Sequence, residues 1–222
     1  MKRRRKLDIK AVLFDLDGTL IDTEKYYQIV WPKTIEHFGF HMTREQALQL
    51  RSLGRPFAPE QFKKWYGDDF DYHEARAYRK ILFEELAAKE GINLKPGARE
   101  ILQFLKERNI LIATATATDE ERTTRYLSEV GLLSYFDKIC CATMVKEGKP
   151  KPDIYLYACE QVGVPKENCI AVEDAPNGVR SAAAAGIKTV YIPDQNDDEE
   201  EVKGLYYKKM ESLYELKDLI SK

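Results

Sequence analysis

The sequence predicts an α/β fold, a parallel sheet covered by helices on both faces, with an all-helical cap inserted into it. Three observations lead there. Short apolar segments rich in Ile, Val and Ala alternate with amphipathic stretches, the pattern of strands joined by helical crossovers. One interval, residues 21–94, breaks that rhythm and is helical in period throughout. Two carboxylates, Asp15 and Asp17, stand where the first apolar run ends, and ligands bind at the carboxyl ends of parallel strands.

A chain of 222 residues has room for one sizeable core with a modest insert and too little for several independent domains. Hydrophobic residues make up 44%, charged residues 32%, and the formal net charge is −2, with both signs spread along the chain. Such a balance excludes a disordered chain and carries no nucleic-acid footprint. The one basic cluster, residues 1–6, reads as a solvated tail. No apolar segment follows it before Asp8, and residues 11–14 are too few for a signal peptide or a membrane span, so the expected place is the cytoplasm, with no membrane or nucleic-acid partner. Cys140, Cys141, Cys159 and Cys169 show no C-x-x-C spacing and no adjacent histidine, and read as reduced core thiols. His37 and His41 are four apart, but Gly39 between them reads as a helix end, which sets a metal site there aside.

In chain order, residues 11–15 form the first strand, an apolar run closed by Asp15. Helices follow at 24–38, 43–51, 59–65 and 72–90, and the chain returns through Leu94-Lys95-Pro96-Gly97. The domains expected are a core of 1–21 and 95–222 and a cap of 22–94, hinged by two short connectors over the strand ends. Then come helix 97–108, strand 110–114, helix 119–130, strand 138–142, helix 152–162, strand 169–173, helix 177–185 and strand 188–192. The acidic run 197–201 reads as a solvated loop. Leu213, Leu216, Leu219 and Ile220 fall at helical spacing and predict a last helix over 213–220 packed on the core.

Four strand ends carry chemistry. In Asp15-Leu16-Asp17-Gly18-Thr19-Leu20, the period of two lets the Asp15 side chain and the Asp17 carbonyl converge on one cation while the Asp17 carboxylate leans over the reacting group. Gly18 permits the sharp turn, and Thr19 offers a hydroxyl to a phosphoryl oxygen. The second strand ends Thr114-Ala115-Thr116, a hydroxyl followed by small residues that let backbone N–H groups close on a phosphate. In Gly148-Lys149-Pro150-Lys151-Pro152-Asp153, two prolines stiffen the backbone and aim one ammonium group, from Lys149 or Lys151, at a negative transition state. Glu173-Asp174, after Ile170-Ala171-Val172, supplies further oxygen ligands for a hard octahedral cation; alone it would read as a helix-capping pair.

These four elements in this order, with an insert directly after the first, resemble the haloacid dehalogenase superfamily over residues 10–192. The helical insert and the Glu-Asp form of the last motif resemble its branch of β-phosphoglucomutase and small sugar-phosphate phosphatases. The resemblance implies a Rossmann-like core with a mobile cap. It implies Asp15 as the nucleophile that becomes an aspartyl-phosphate, Asp17 as general acid and then base, Thr114 and the Ala115 backbone as phosphate binders, and Lys149 as the motif lysine. Asp174, Asp15 and the Asp17 carbonyl would hold Mg2+, with Glu173 at or just behind them. A bare carboxylate attacks an anionic phosphate poorly, so neutralisation by metal and lysine makes the attack feasible.

The cap decides whether water or a sugar hydroxyl meets the aspartyl-phosphate. Tyr27 falls where β-phosphoglucomutases have a histidine, which favours hydrolysis. Arg55, in the loop Leu53-Gly54-Arg55-Pro56-Phe57, is the candidate for touching a substrate phosphate or sugar. The expectation is a monomeric Mg2+-dependent phosphatase acting on small phosphorylated metabolites, with a hexose-phosphate mutase as the first alternative. A phosphate-metabolite binder without turnover is the second.

Overall fold

The computed structural model describes residues 8–221, so the basic run at 1–6 lies outside the described residues. Its centre is a five-stranded parallel sheet of β1 Ala11–Phe14, β2 Leu111–Thr114, β3 Cys169–Glu173, β4 Lys188–Tyr191 and β5 Lys208–Lys209, in the order β2-β1-β3-β4-β5. Phe14 stands opposite Thr114 on one side and Val172 on the other, so the residues that follow all three emerge together. The strand order reverses at β1, where a crevice opens beyond the strand ends.

Four helices, α1 Glu24–His37, α2 Arg44–Gln49, α3 Phe57–Tyr66 and α4 Tyr72–Glu90, intervene between β1 and the next core helix, α5 Ala98–Glu107. The core continues with α6 Glu120–Glu129, α7 Asp153–Val162, α8 Pro176–Ala184, the short α9 Glu199–Val202 and α10 Leu216–Ile220. Strand side chains alternate between two apolar layers. Val12, Phe14, Ile112, Ile170 and Val172 face Ile101, Leu102 and Leu105 of α5 together with Leu216 of α10. Ala11, Leu13, Ala113 and Ala171 face Ile154, Tyr155 and Ala158 of α7 together with Ala182 of α8. Both sheet faces are therefore covered, which is why β1 is apolar at every position.

The inserted helices have their own core, in which Trp31, Ile35, Met42, Ala47 and Phe62 are buried. Local signals set their ends. Thr43 and Gln46 form a reciprocal capping box on α2, and Asp71 accepts the backbone N–H groups of His73 and Glu74 at the start of α4. The outgoing and returning connectors run side by side: Asp22 N–H donates to Asn93 O at 2.8 Å and Lys95 N–H to Leu20 O at 2.9 Å.

Four expectations of the fold differ from the structure. The acidic run 197–201 is no solvated loop: Glu199–Val202 form α9, and Asp198 pairs with the buried Arg51. Residues 138–142 are extended but make no strand, touching the sheet edge only at isolated bridges, Ala113 with Lys138 and Thr116 with Cys141. Side chains interrupt the ladder there: Asp137 Oδ2 accepts the Ile112 N–H at 2.8 Å, and the Thr114 hydroxyl occupies the Cys140 backbone. The edge strand β5 was not foreseen; two lysines carry no alternation, and lysine is a common guard of a free edge. The last helix is shorter than 213–220, because residues 213–215 form a 3₁₀ turn before α10. All four cysteines are free and buried, and no described helix is long and apolar enough to cross a membrane.

Candidate active site

Beyond Phe14 the chain turns, and Asp15 is fixed by its backbone N–H donating to Val172 O at 3.0 Å. Its side chain, 1% exposed, meets Lys149 from the loop before α7: Lys149 Nζ donates to Asp15 Oδ1 at 2.7 Å and to Glu173 Oε1 at 2.5 Å. The Tyr155 hydroxyl donates to the same Glu173 oxygen at 2.5 Å. One buried cation is thus shared by two buried carboxylates. Lys151, the other candidate ammonium, is exposed.

Asp174 is fully buried. Its Oδ1 accepts from the Thr19 hydroxyl at 3.2 Å, so Thr19 steadies a carboxylate where a phosphoryl contact was expected. Asp174 Oδ2 and Glu173 Oε2 are buried with no hydrogen-bond partner. One oxygen from each of Asp15, Glu173 and Asp174 lies within 4.8 Å of the others. Orphaned carboxylate oxygens gathered this closely are costly unless a cation sits among them, and an all-oxygen set suits a hard divalent ion. The residues present therefore fit Mg2+. As a capping pair, Glu173-Asp174 does not act: α8 starts after Ala175 with no side-chain cap.

Burial pushes the Asp15 carboxyl up, against the pull of Lys149 and with repulsion from Asp17. Burial takes Glu173 up to about 7, partly offset by Lys149. Asp174 is raised well above the usual carboxylate range by burial and then by Asp15 and Glu24. For Lys149, burial works against the charge, but Asp15 and Glu173 outweigh it and hold the ammonium above its ordinary value.

Asp17 stands apart from the cation cluster. Thr23 donates to its Oδ1 at 2.6 Å and Thr118 to its Oδ2 at 2.7 Å, so both oxygens are aimed by hydroxyls. Thr23 immediately precedes α1, which ties this carboxylate to the inserted helices.

The expected phosphate binders need correction. Thr114 is fully buried, and its hydroxyl donates to Cys140 O at 3.0 Å while accepting Cys140 N–H at 2.8 Å. The Ala115 N–H donates to Phe14 O at 2.7 Å. Neither group is free for a ligand. Two residues on, Thr116, Ala117 and Thr118 line the cavity instead. The repeat Thr-Ala-Thr-Ala-Thr puts residues of the same kind on the same face at every second position, so strand periodicity could not say where the sheet ends.

From the cap side, Tyr27 lines the cavity, and its hydroxyl accepts from Arg122 at 3.4 Å. Burial pushes that phenol up to about 12. Arg55 is exposed and outside the cavity lining; its contribution is its carbonyl, which accepts Gly148 N–H at 2.7 Å. Gly54 N–H donates to Lys149 O at 2.8 Å, so this cap loop sits directly on the lysine loop. A Cβ on Gly54 would meet Gly148 Cα at 2.6 Å, a close approach that only glycine allows. Trp65 and Tyr66 pack around Phe62, while the Tyr26 hydroxyl donates to Gly91 O at 2.6 Å.

Sequence reasoning missed several lining residues. Glu24, at the start of α1, is buried, and burial together with Asp17 raises its carboxyl well above the ordinary value. Ser52, in a left-handed conformation at φ 54°, reaches Asp15 Oδ2 at 3.4 Å, one residue before the loop singled out by its Gly and Pro. Arg51, Arg79 and Arg122 also reach the cavity. Their place follows from long-range packing, and only the charge at helical spacing was visible.

Gly178, in the first turn of α8, tests this packing. A Cβ there would meet Glu173 Oε2 at 2.0 Å and Cδ at 2.1 Å. Glycine to alanine in a helix ordinarily stabilises by about 1 kcal/mol. Here the sign should reverse, with Gly178→Ala losing about 2 kcal/mol in urea unfolding as the Glu173 carboxylate is forced aside. An unchanged or raised midpoint would show that the carboxylate does not rest there.

A family model described as haloacid dehalogenase-like hydrolase matches residues 9–186. The phosphorylated carbohydrates phosphatase of Thermotoga maritima is 32% identical over 189 residues, covering 82% of this chain and 84% of that one. The β-phosphoglucomutase of Bacillus subtilis is 29% identical over 193 residues, covering 83% of each. A crystal structure of a CbbY mutant from Rhodobacter sphaeroides in complex with xylulose-(1,5)-bisphosphate superposes with a TM-score of 0.80 at 28% identity, over 94% of this chain and 96% of that one.

Proposed function

The chain belongs to the haloacid dehalogenase-like hydrolase family, and on that footing we propose that it is a Mg2+-dependent phosphatase that hydrolyses small sugar phosphates through an aspartyl-phosphate. It is a phosphoric monoester hydrolase with residues 22–94 as the cap. The observation that carries the reading is that Asp15, which lines one cavity with Asp17, also meets Lys149 and lies close to Asp174, whose Oδ2 has no partner.

In this reading Asp15 attacks phosphorus, and the bond to the sugar oxygen breaks. Asp17 gives that oxygen its proton, then takes a proton from the water that attacks the aspartyl-phosphate. Thr116 and the Ala117 backbone hold phosphoryl oxygens in place of Thr114 and Ala115, and Lys149 offsets their charge. Asp15, Asp174 and the Asp17 carbonyl would hold Mg2+, with Glu173 beside them. When bound, the cation supplies positive charge against the phosphoryl oxygens and steadies Asp15. The half-buried tyrosine at position 27, in place of a basic imidazole, supports hydrolysis over transfer to a second sugar. The similarity to β-phosphoglucomutase keeps the mutase as the alternative. A binder without turnover would have no use for Asp17. Four free cysteines support a reducing compartment, the cytoplasm, and a monomer is the proposed state.

The test is phosphate release from a panel of sugar phosphates, with isomerised sugar phosphate measured alongside, in protein stripped with EDTA and then given Mg2+. Release that vanishes on stripping and returns with Mg2+ is expected; isomerisation without release would make the chain a mutase, and neither would leave the binder. The stripped protein should also lose stability as pH rises. Glu173 titrates near 7 in the fold against 4.5 in the unfolded chain, so the native state holds more protons across that window. The stability its protonation supports is complete below about 4.5 and lost as pH passes about 7. Mg2+ at a hundred times its Kd at pH 8 should therefore stabilise the fold by about 2.7 kcal/mol at pH 8, and the same concentration should stabilise it less at pH 5. An equal effect at both pH values would mean that the cation binds elsewhere.

A further inference from the structure

The loop that follows β4 reaches across to the inserted helices. Arg44, at the start of α2, donates to Gln195 O at 3.1 Å, and Arg51, just beyond the end of α2, pairs with Asp198, 147 residues away. At its other end the loop is moored to the returning connector, where Lys95 Nζ donates to Asp194 Oδ1 at 2.6 Å. Asp198 is itself oriented: its backbone N–H donates to the hydroxyl of the buried Tyr191 at 3.1 Å, and the Asn196 amide donates to its Oδ1 at 2.5 Å. From the first turn of α8, the Asn177 amide donates to Gln49 O at 3.1 Å and to Arg51 O at 2.9 Å, satisfying carbonyls that the end of α2 leaves free.

The residues that follow Arg51 meet the core site. Ser52 reaches Asp15 Oδ2 at 3.4 Å, Gly54 N–H donates to Lys149 O at 2.8 Å, and Gly148 N–H donates to Arg55 O at 2.7 Å. The segment 49–55 is thus held at one end by Asn177 and Asp198 and at the other by the lysine loop, with Ser52 between. The Arg51 and Asp198 side chains are only 2% and 9% exposed, and among the described residues Asp198 is the one carboxylate within ion-pair distance of Arg51. A guanidinium buried without its bonded counter-ion is costly, whereas an arginine in water loses little when its partner leaves. Parting cap from core returns Arg51 to water, so the cost of lacking Asp198 falls on the closed arrangement alone.

We propose that Asp198 is a positioning residue that clasps the cap closed: by neutralising Arg51 as it becomes buried, it seats segment 49–55 with Ser52 at Asp15. The clasp rests on contacts between cap and core and needs no substrate. It bears on turnover through the phosphatase reading, since it sets how readily the cavity over Asp15 and Asp17 is enclosed.

Hydrogen exchange of single amides, followed by NMR on the ligand-free chain, tests this. The Gly54 and Gly148 N–H groups bond across the closed junction, so their exchange reports its opening. Three amides serve as controls: Ala75 N–H bonds to Asp71 O inside the cap at 3.1 Å, Ala115 N–H to Phe14 O inside the core at 2.7 Å, and Met210 N–H to Tyr191 O, on the strand that the loop leaves, at 2.9 Å. In Asp198→Ala the two junction amides should exchange about a hundredfold faster while the controls stay within about threefold. That is the low end for a broken buried pair, because Asp174 and Glu24 also favour the Arg51 charge from farther away. Asp198→Asn keeps a hydrogen bond and loses the charge; it should speed the junction amides about tenfold, and it replaces Asp198→Ala if that variant does not fold. Adding Arg51→Met to the Asp198 variant should slow them again, since no charge is then buried. Unchanged exchange at Gly54 and Gly148, an equal acceleration of all five amides, or a double variant as fast as the single one would overturn the proposal. Phosphate release by the wild-type chain is followed separately. A chain whose junction amides respond in this way but which hydrolyses no phosphate ester would end the phosphatase reading and keep the clasp.

Discussion

Asp15→Asn should lower phosphate release by about 10⁴-fold or more, the scale on which removal of a covalent nucleophile acts, because a carboxamide has no anionic oxygen to attack phosphorus. The fold should tolerate the change. Asp15 is 1% exposed and held through Oδ1 by Lys149 at 2.7 Å, and an asparagine carbonyl can accept the same bond. Burial already works against the negative charge at this position, so its removal relieves crowding with Glu173 and Asp174. The measurement pairs initial rates on the preferred substrate with an unfolding curve. A variant that keeps more than about a tenth of the wild-type rate with an intact fold would show that Asp15 is not the nucleophile.

Lys149→Met should be the costliest single change to stability. Among the described residues Lys149 is the one cation bonded to Asp15 and Glu173, at 2.7 and 2.5 Å, and all three side chains are essentially buried. Breaking such a cluster on one side costs about 3–5 kcal/mol, because the remaining charges are left without compensation. The loss should depend on pH in a determined direction. Without the ammonium, Asp15 and Glu173 must fold protonated. The native variant then holds more protons than the unfolded chain above the ordinary carboxylate range, and its stability falls as pH rises. Each such group adds about 1.4 kcal/mol per pH unit. Urea unfolding in EDTA at pH 5 and pH 8 should show the larger deficit at pH 8. Adding Glu173→Gln should recover part of it, and an additive double variant would mean that the two side chains do not share this cluster.

The particular residues show what kind of information a sequence carries. The strand Ala11–Phe14 was legible because a fully covered parallel strand must be apolar at every position, and the closing aspartates stood out against that run. Glu173 and Asp174 were legible for the same reason. Thr116 was not. Thr114 and Thr116 present the same hydroxyl to the same face, and only the bonds of Thr114 to Cys140 and of Ala115 to Phe14 show that the sheet uses both of those positions. Residues 138–142 have strand composition, but their ladder is taken by the side chains of Asp137 and Thr114. The arginine expected at the site, Arg55, is exposed and outside the cavity lining, whereas Arg51, Arg79 and Arg122 line it, and nothing in their local spacing marks them.

Local periodicity and motif spacing by themselves determined the α/β class, the helical insert, and the carboxylates and lysine-bearing loop of the core site. Those properties are written over a few neighbouring residues, where the geometry of one strand end or one turn is enough. Tertiary structure decided which of Lys149 and Lys151 is buried, which hydroxyl at the second strand end lines the cavity, and which arginines reach it. Each of these depends on the burial and hydrogen-bond partners of groups far apart in the chain, as between Lys149 and Asp15, 134 residues apart. A partner's identity sets whether a polar group is already satisfied or still free for a ligand, and pairing of that kind exists only once the chain has packed.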